Sequence, residues 1–347
     1  MKKHSMRFTV GAVALALLMT GCSGAPPADP KGSPAPGGSG KEFTLGIAGI
    51  PPIFLETVAY VAEDKGYFKD LGVDVKLREF ATSNDVGRAV TSGEIPAGMV
   101  GTPLALAMRS SGSPIVATLG FEASSYLIGS ADPAVTDCAS LKGKTIAVDA
   151  AGAPKALGLA TMLASCGLKD SDVQAVGVGG TQSPDVMIAK QVDTAVMHPD
   201  ELAMVQEKRD TKVVMRITDA DKLMHFFTLI AHEKTVADKG TKADLTAVIA
   251  ALRKAIAFVA DTANSKEVAA IAAEMSGRTP AVAASALKNY LAIGYWPTKS
   301  AGLSEDRLTH VLEQQVKAGN IKQAEAPKYA DFVDLTIYEA STALMGK

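Results

Sequence analysis

The chain has 347 residues, with 35 Lys+Arg against 37 Asp+Glu and a formal net charge of −2. At 47% hydrophobic and 21% charged residues it can bury a sizeable core, which excludes disorder over most of its length; the balanced charge argues against a nucleic-acid binder held by phosphate contacts. Its three cysteines are too few for a disulfide scaffold and lack zinc-ligand spacing, so no metal and no cofactor is expected.

Residues 1–7 carry Lys2, Lys3 and Arg7 and no acid. Residues 8–19 are apolar apart from Thr9 and Gly11. This run is shorter than the ~20 residues a spanning helix needs, and a basic flank before a short apolar run is the pattern of a signal peptide.

Leu18-Met19-Thr20-Gly21-Cys22 resembles the lipobox of bacterial lipoproteins, in which the Cys is acylated and becomes the mature N-terminus. The expectation is a signal peptide over 1–21 and a lipid on Cys22; a chance Cys after an ordinary signal is the alternative. More than one acyl chain holds a protein firmly at a membrane, so the chain would be anchored rather than spanning. Residues 22–42 are rich in Pro, Gly and Ser and read as a linker.

From residue 43 the pattern becomes regular. Residues 43–49 read as a strand, 53–65 as a helix stopped by Lys65-Gly66, and 73–79, which alternate apolar and charged, as a half-exposed strand. A helix over 83–93, strands at 97–101 and 115–119, and a helix over 102–110 follow. Beyond 120 the alternation restarts: strands at 125–129, 144–148, 173–178, 193–197, 212–216 and 226–231, helices at 154–167, 184–190 and 200–208. After 231 the pattern is helical, over 244–260, 265–275, 281–292, 304–317 and 329–342. Such alternation argues for α/β architecture with parallel sheets, in two units followed by a helical tail; one large α/β domain is the alternative.

Catalytic motifs fail on inspection. Leu141-Lys-Gly143-Lys144-Thr145 has Cys138 where a phosphate loop needs Gly, and precedes a strand instead of following one. Gly177-Val-Gly179 has Gln182 at the third glycine position. His232-Glu233 lacks a second His. Cys138 lies before a strand and Cys166 ends the next helix, so an exported chain could bridge them; two free thiols are the alternative.

The segment Ala62-Glu-Asp-Lys-Gly66-Tyr67-Phe68, then Gly72-Val-Asp-Val, resembles ABC-transporter solute-binding proteins of the group that takes aliphatic sulfonates, taurine, nitrate and thiamine pyrimidine precursors. Further matches are Ser92-Gly93-Glu94-Ile95, Gly112-Ser-Pro-Ile115-Val116 and Leu141-Lys-Gly-Lys-Thr-Ile-Ala-Val148; Gln191 departs from the family's usual Gly before Val192-Asp193. The resemblance implies a two-lobed type II periplasmic-binding fold: lobe 1 from 43–119 and 229–347, its helical tail packed on that lobe, and lobe 2 from 120–228. It also implies a non-enzymatic, monomeric, extracytoplasmic protein, on the periplasmic or outer-leaflet side, whose partners are a small solute, the permease subunits and, through the lipid, the membrane.

Ligands in open α/β sheets sit at the carboxyl ends of strands. Four loops meet that rule and give the candidate ligand residues Ile50, Pro51 and Phe54, Thr102 and Pro103, Gly152 and Ala153, and His198 and Asp200; Phe226 stands where the chain crosses between lobes. Helix N-termini at such loops suit an anion. The four loops contain no Lys or Arg before Lys155, which tilts the expectation towards an uncharged, pyrimidine-like solute. A ligand-sensing lipoprotein acting through a protein partner, or an enzyme on the scaffold of pyrimidine-synthesising relatives, are the competing functions.

Overall fold

The computed structural model describes residues 38–121, 123–149, 154–178 and 182–346. The expected signal peptide, Cys22, most of the linker, Gly152 and Ala153 lie outside the described residues.

In chain order the elements are β1 (Phe43–Ala48), α1 (Thr57–Asp64), α2 (Tyr67–Asp70), β2 (Val75–Phe80), α3 (Ser83–Thr91), β3 (Ala97–Gly101), α4 (Thr102–Ser110) and β4 (Ile115–Phe121). The chain then forms β5 (Leu127–Ser130), β6 (Thr145–Val148), α5 (Pro154–Ser165), β7 (Gln174–Gly177), α6 (Ser183–Ile188), β8 (Thr194–Met197), α7 (Pro199–Gln206), β9 (Lys212–Arg216) and α8 (Ile217–Ala220). It closes with β10 (Phe227–His232), α9 (Glu233–Ala237), α10 (Lys239–Ala260), α11 (Ser265–Ser276), α12 (Pro280–Ala292), α13 (Glu305–Lys317), α14 (Tyr329–Phe332) and α15 (Thr336–Ser341).

Two five-stranded sheets result, ordered β2-β1-β3-β10-β4 and β7-β6-β8-β5-β9. The expectation of parallel sheets is corrected: both are mixed. β1 runs parallel to β2 and β3, and β6 parallel to β7 and β8, whereas β10 is antiparallel to β3 and β4, and β5 antiparallel to β8 and β9. The cause is topological. β5 and β10 are each the first strand after the chain has come over from the other sheet. A strand that starts where the sheets meet runs away from that junction, opposite to neighbours whose carboxyl ends arrive there.

Helices cover both faces of each sheet, as a mostly parallel core requires. On the first sheet one face holds Val58, Val248, Leu252 and Leu287 of α1, α10 and α12, and the other holds Val86, Leu106 and Val311 of α3, α4 and α13. On the second sheet Leu159 and Leu163 of α5 cover one face, and Met187 and Leu202 of α6 and α7 the other. Cys138 and Cys166 are joined by a disulfide, Cα–Cα 6.2 Å. No helix among the described residues is long and apolar enough to cross a membrane.

The expected helix over 329–342 is also corrected. It is split into α14 and α15, because Val333 bridges to Ala117 of β4 and the Asp334 N–H donates to the Ala117 carbonyl at 3.0 Å. An edge-strand carbonyl thus takes the donor that would have continued the helix.

Candidate functional site

The chain leaves the first sheet after Phe121 and joins the second at Leu127; it returns between Ala220 and Phe227. Aromatic rings fill the junction around these crossings. Phe121 stacks on Tyr295 at 5.5 Å and Phe54 on Tyr290 at 5.3 Å, while Trp296 lies 5.5 Å from Tyr290 and 5.2 Å from Tyr295. Tyr126 packs on His198 at 4.6 Å and edge-on to Phe226 at 5.0 Å. Such pairs add about 0.5–1.5 kcal/mol each beyond the area they bury.

One crossing is pinned by a buried histidine. His225 Nε2 donates to the Gly302 carbonyl at 2.6 Å, so its Nδ1 accepts from the Thr102 hydroxyl at 2.8 Å. Burial pushes this imidazole down to about pH 4, and it is neutral. The Thr102 N–H donates to the Phe226 carbonyl at 2.7 Å. The Thr102 hydroxyl proton is therefore committed to His225 at the crossing, and its oxygen is left only acceptor capacity.

A second polar chain starts at Asp200. Its carboxylate pairs with Arg278 at 3.1 Å and accepts from the Tyr290 phenol at 3.2 Å. Ser125 Oγ and His198 Nδ1 share a hydrogen bond at 2.7 Å. No described residue hydrogen-bonds His198 Nε2, the ring nitrogen turned away from Ser125. Burial lowers the His198 pKa to about 4, so the ring is neutral at physiological pH.

The charges near the loops are already matched. Lys155, 4% exposed, bonds both Glu201 oxygens at 2.8 Å. Burial raises the Glu201 pKa while Lys155 opposes the shift. The Asp149 carboxylate accepts from the Lys155 and Ala156 N–H groups at 3.0 and 3.2 Å, and Glu201 from the His198 N–H at 2.8 Å. At these loops the N–H groups of Lys155, Ala156 and His198 are taken by the chain's own acids, and that of Thr102 by the Phe226 carbonyl. Glu56 is wholly buried, accepts twice from the Ala48 N–H, and is driven well above the usual carboxylate range by burial.

What remains open is hydrogen-bonding capacity. Among the described residues the Tyr295 hydroxyl, Trp296 Nε1, Ser124 Oγ and Arg278 Nε, all at or beside the junction, are buried without a partner; Thr91 Oγ1 is the other such atom. Buried polar groups are normally satisfied, so each such atom asks for an explanation. Phe54, His198, Asp200 and Phe226 come together at the junction. Ile50 is 68% exposed and Pro51 is exposed beside it. Pro103 and Phe226 line a groove of about 500 Å³ between α4, α5 and α13. The sequence reading missed Tyr290, Tyr295 and Trp296, which come from the helical tail. Their signal was the density of aromatics at 290–296 in a chain with only 5% aromatic residues and one Trp.

Two mixed sheets joined by a double crossing make this a periplasmic-binding-protein fold, and solved structures agree. A protein of Bordetella bronchiseptica superposes with TM-score 0.67 at 24% identity over 89% of this chain and 99% of that one. The periplasmic aliphatic sulphonate binding protein of Escherichia coli superposes with TM-score 0.67 at 18% identity, covering 84% and 95%. The periplasmic nitrate-binding protein of Synechocystis PCC 6803 gives 0.65 at 14%, covering 88% and 89%. At these identities the likeness concerns the fold. A search of curated proteins finds no match. The family model described as NMT1/THI5 like matches residues 56–264, more than half of the sequence, and the chain belongs to that family.

Proposed function

We propose that this protein is the extracytoplasmic solute-binding subunit of an ABC importer, not an enzyme. In this reading it works as a monomer, captures a small organic solute between two lobes and delivers it to the permease. The lobes are 43–119 with 229–347, and 120–228, and they close on the solute by a hinge at the two crossings. Residues 1–21 direct export, Cys22 carries the lipid and 22–42 form the tether.

The supporting observation is the set of open hydrogen-bonding atoms among the junction aromatics: Tyr295 OH and Trp296 Nε1, buried without partners among the described residues. A bound solute would meet groups that cost about 1–3 kcal/mol each when left unmet. The charges at the loops are already paired, Lys155 with Glu201 and Arg278 with Asp200, which disfavours an anion. A flat, uncharged heterocycle with ring acceptors and an amino donor, pyrimidine-like in chemistry, fits better.

The test is a thermal-shift screen of the protein from Ser23 onward against aminopyrimidines, sulfonates, taurine and nitrate. A solute at 100 times its dissociation constant adds about 2.7 kcal/mol, readily seen as a raised melting temperature. The reading predicts that aminopyrimidines raise it. A rise with nitrate or a sulfonate alone overturns the solute class. No rise with any of them, for folded protein, overturns the solute-binding reading.

A further inference from the structure

We propose a site for a single-chain anionic amphiphile, an alkyl tail ending in a carboxylate, in a groove of the helical tail. The groove lies between α11 and α12 and has a volume of about 700 Å³, within the ordinary range for ligand pockets. Ala269 and Ala270 of α11 line one side, and Ala284, Leu287 and Leu291 of α12 the other. The site stands apart from the junction. Ala284, Lys288 and Leu291 follow one another at helical spacing on the groove face of α12. Asn289 and Tyr290, which bond Arg216 and Asp200, are on the opposite face, where α12 packs on α7. Among the described residues, none from the second sheet, its helices or the crossings lines the groove.

The charge at the groove has one sign. Lys266 of α11 and Lys288 of α12 line it, both exposed, and neither makes a hydrogen bond or ion pair among the described residues. The acids next to Lys266 along the chain are committed elsewhere. Glu267 pairs with Lys65 at 2.7 Å, and Asp261 caps the turn Thr262–Asn264 through the Ala263 N–H. Two ammonium groups without partners beside an apolar floor match one negative charge on an apolar body. An acidic peptide fits less well. Its backbone N–H and C=O groups would lie against alanine and leucine side chains that offer no partner, and such unmet groups are costly. An alkyl chain carries none.

The probe is decanoate, titrated calorimetrically into the folded chain from Ser23. The site predicts saturable one-to-one binding to the wild type and to Asp200→Asn, a variant of the junction. Octanoate should bind more weakly, by up to about fourfold for each buried methylene removed. Decyltrimethylammonium, the same tail with a positive head, should also bind more weakly than decanoate. Ala270→Phe and Ala284→Trp, at exposed positions on opposite sides of the groove, should abolish binding. Lys266→Gln and Lys288→Gln should each weaken it by up to about fivefold, and by less at high salt. Each variant's melting temperature is checked first; if one filling variant does not fold, the other decides. No saturable binding to the wild type overturns the site. So does binding that survives a folded filling variant, binding of decyltrimethylammonium as tight as that of decanoate, or binding lost in Asp200→Asn. The groove uses no junction residue, so a failed solute screen and a failed decanoate titration are separate results.

Discussion

His225 shows how one side chain sets both structure and pH response. It joins Thr102, at the start of α4, to Gly302 in the tail, and both its nitrogens are used. Its folded pKa of about 4 lies below the ordinary 6.5, because burial disfavours the imidazolium. Between those values the unfolded chain binds the proton and the folded chain does not. Stability is therefore full above about pH 6.5 and falls as pH drops towards 4, by up to about 3 kcal/mol. Buried Glu56 and Glu201 have raised pKa values and act in the opposite sense, favouring the fold at low pH. Comparing the wild type with His225→Gln isolates the histidine: the wild type should lose stability faster on acidification, read from urea midpoints between pH 7 and pH 4. Parallel curves would contradict the account. Of the site residues, His198 and Asp200 were legible because they follow a strand. The role of Thr102 was not, since its partner His225 is distant in sequence.

At the level of elements, strand and helix positions followed from apolar periodicity, and most of the elements expected from 43 to 317 are present. Strand direction was not legible, because periodicity carries no sign. The direction of β5 and β10 depends on where the chain enters each sheet. Nor could local pattern see that Val333 would pair with β4 and split the last helix. Two glycines mark the tightest approach. Gly120 of β4 and Gly302 meet backbone to backbone, and a Cβ on Gly120 would strike the Gly302 carbonyl and His225 Nε2. Gly302 also sits at φ 66°, which side-chain-bearing residues avoid. Gly120→Ala should cost about 1–3 kcal/mol, the usual range for overpacking a filled site, and a melting temperature equal to that of the wild type would refute this packing. Elsewhere the close spacing of Cys138 and Cys166 was legible from their places before β6 and at the end of α5.

For the whole molecule, the two sheets meet through named polar contacts across α7 and α12: Arg278 with Asp200, Thr279 with Glu207 at 2.6 Å, and Arg216 with Asn289 at 2.7 Å. These link the two sheets beside the aromatic cluster and its unmet donors. The family and the two-layer organisation were legible from motifs spread along the chain, whereas the tail's part in the site was not, because its aromatics face the junction only once α12 lies on α7. The central claim is that a solute binds at this junction, and the chain's single tryptophan, Trp296, 4% exposed, is there to report it. The decisive measurement is a titration of Trp296 fluorescence with the compound that most raises the melting temperature. The account predicts a saturable change in emission with the same dissociation constant as the thermal shift. A thermal shift without any change at Trp296 would place the solute elsewhere and contradict it.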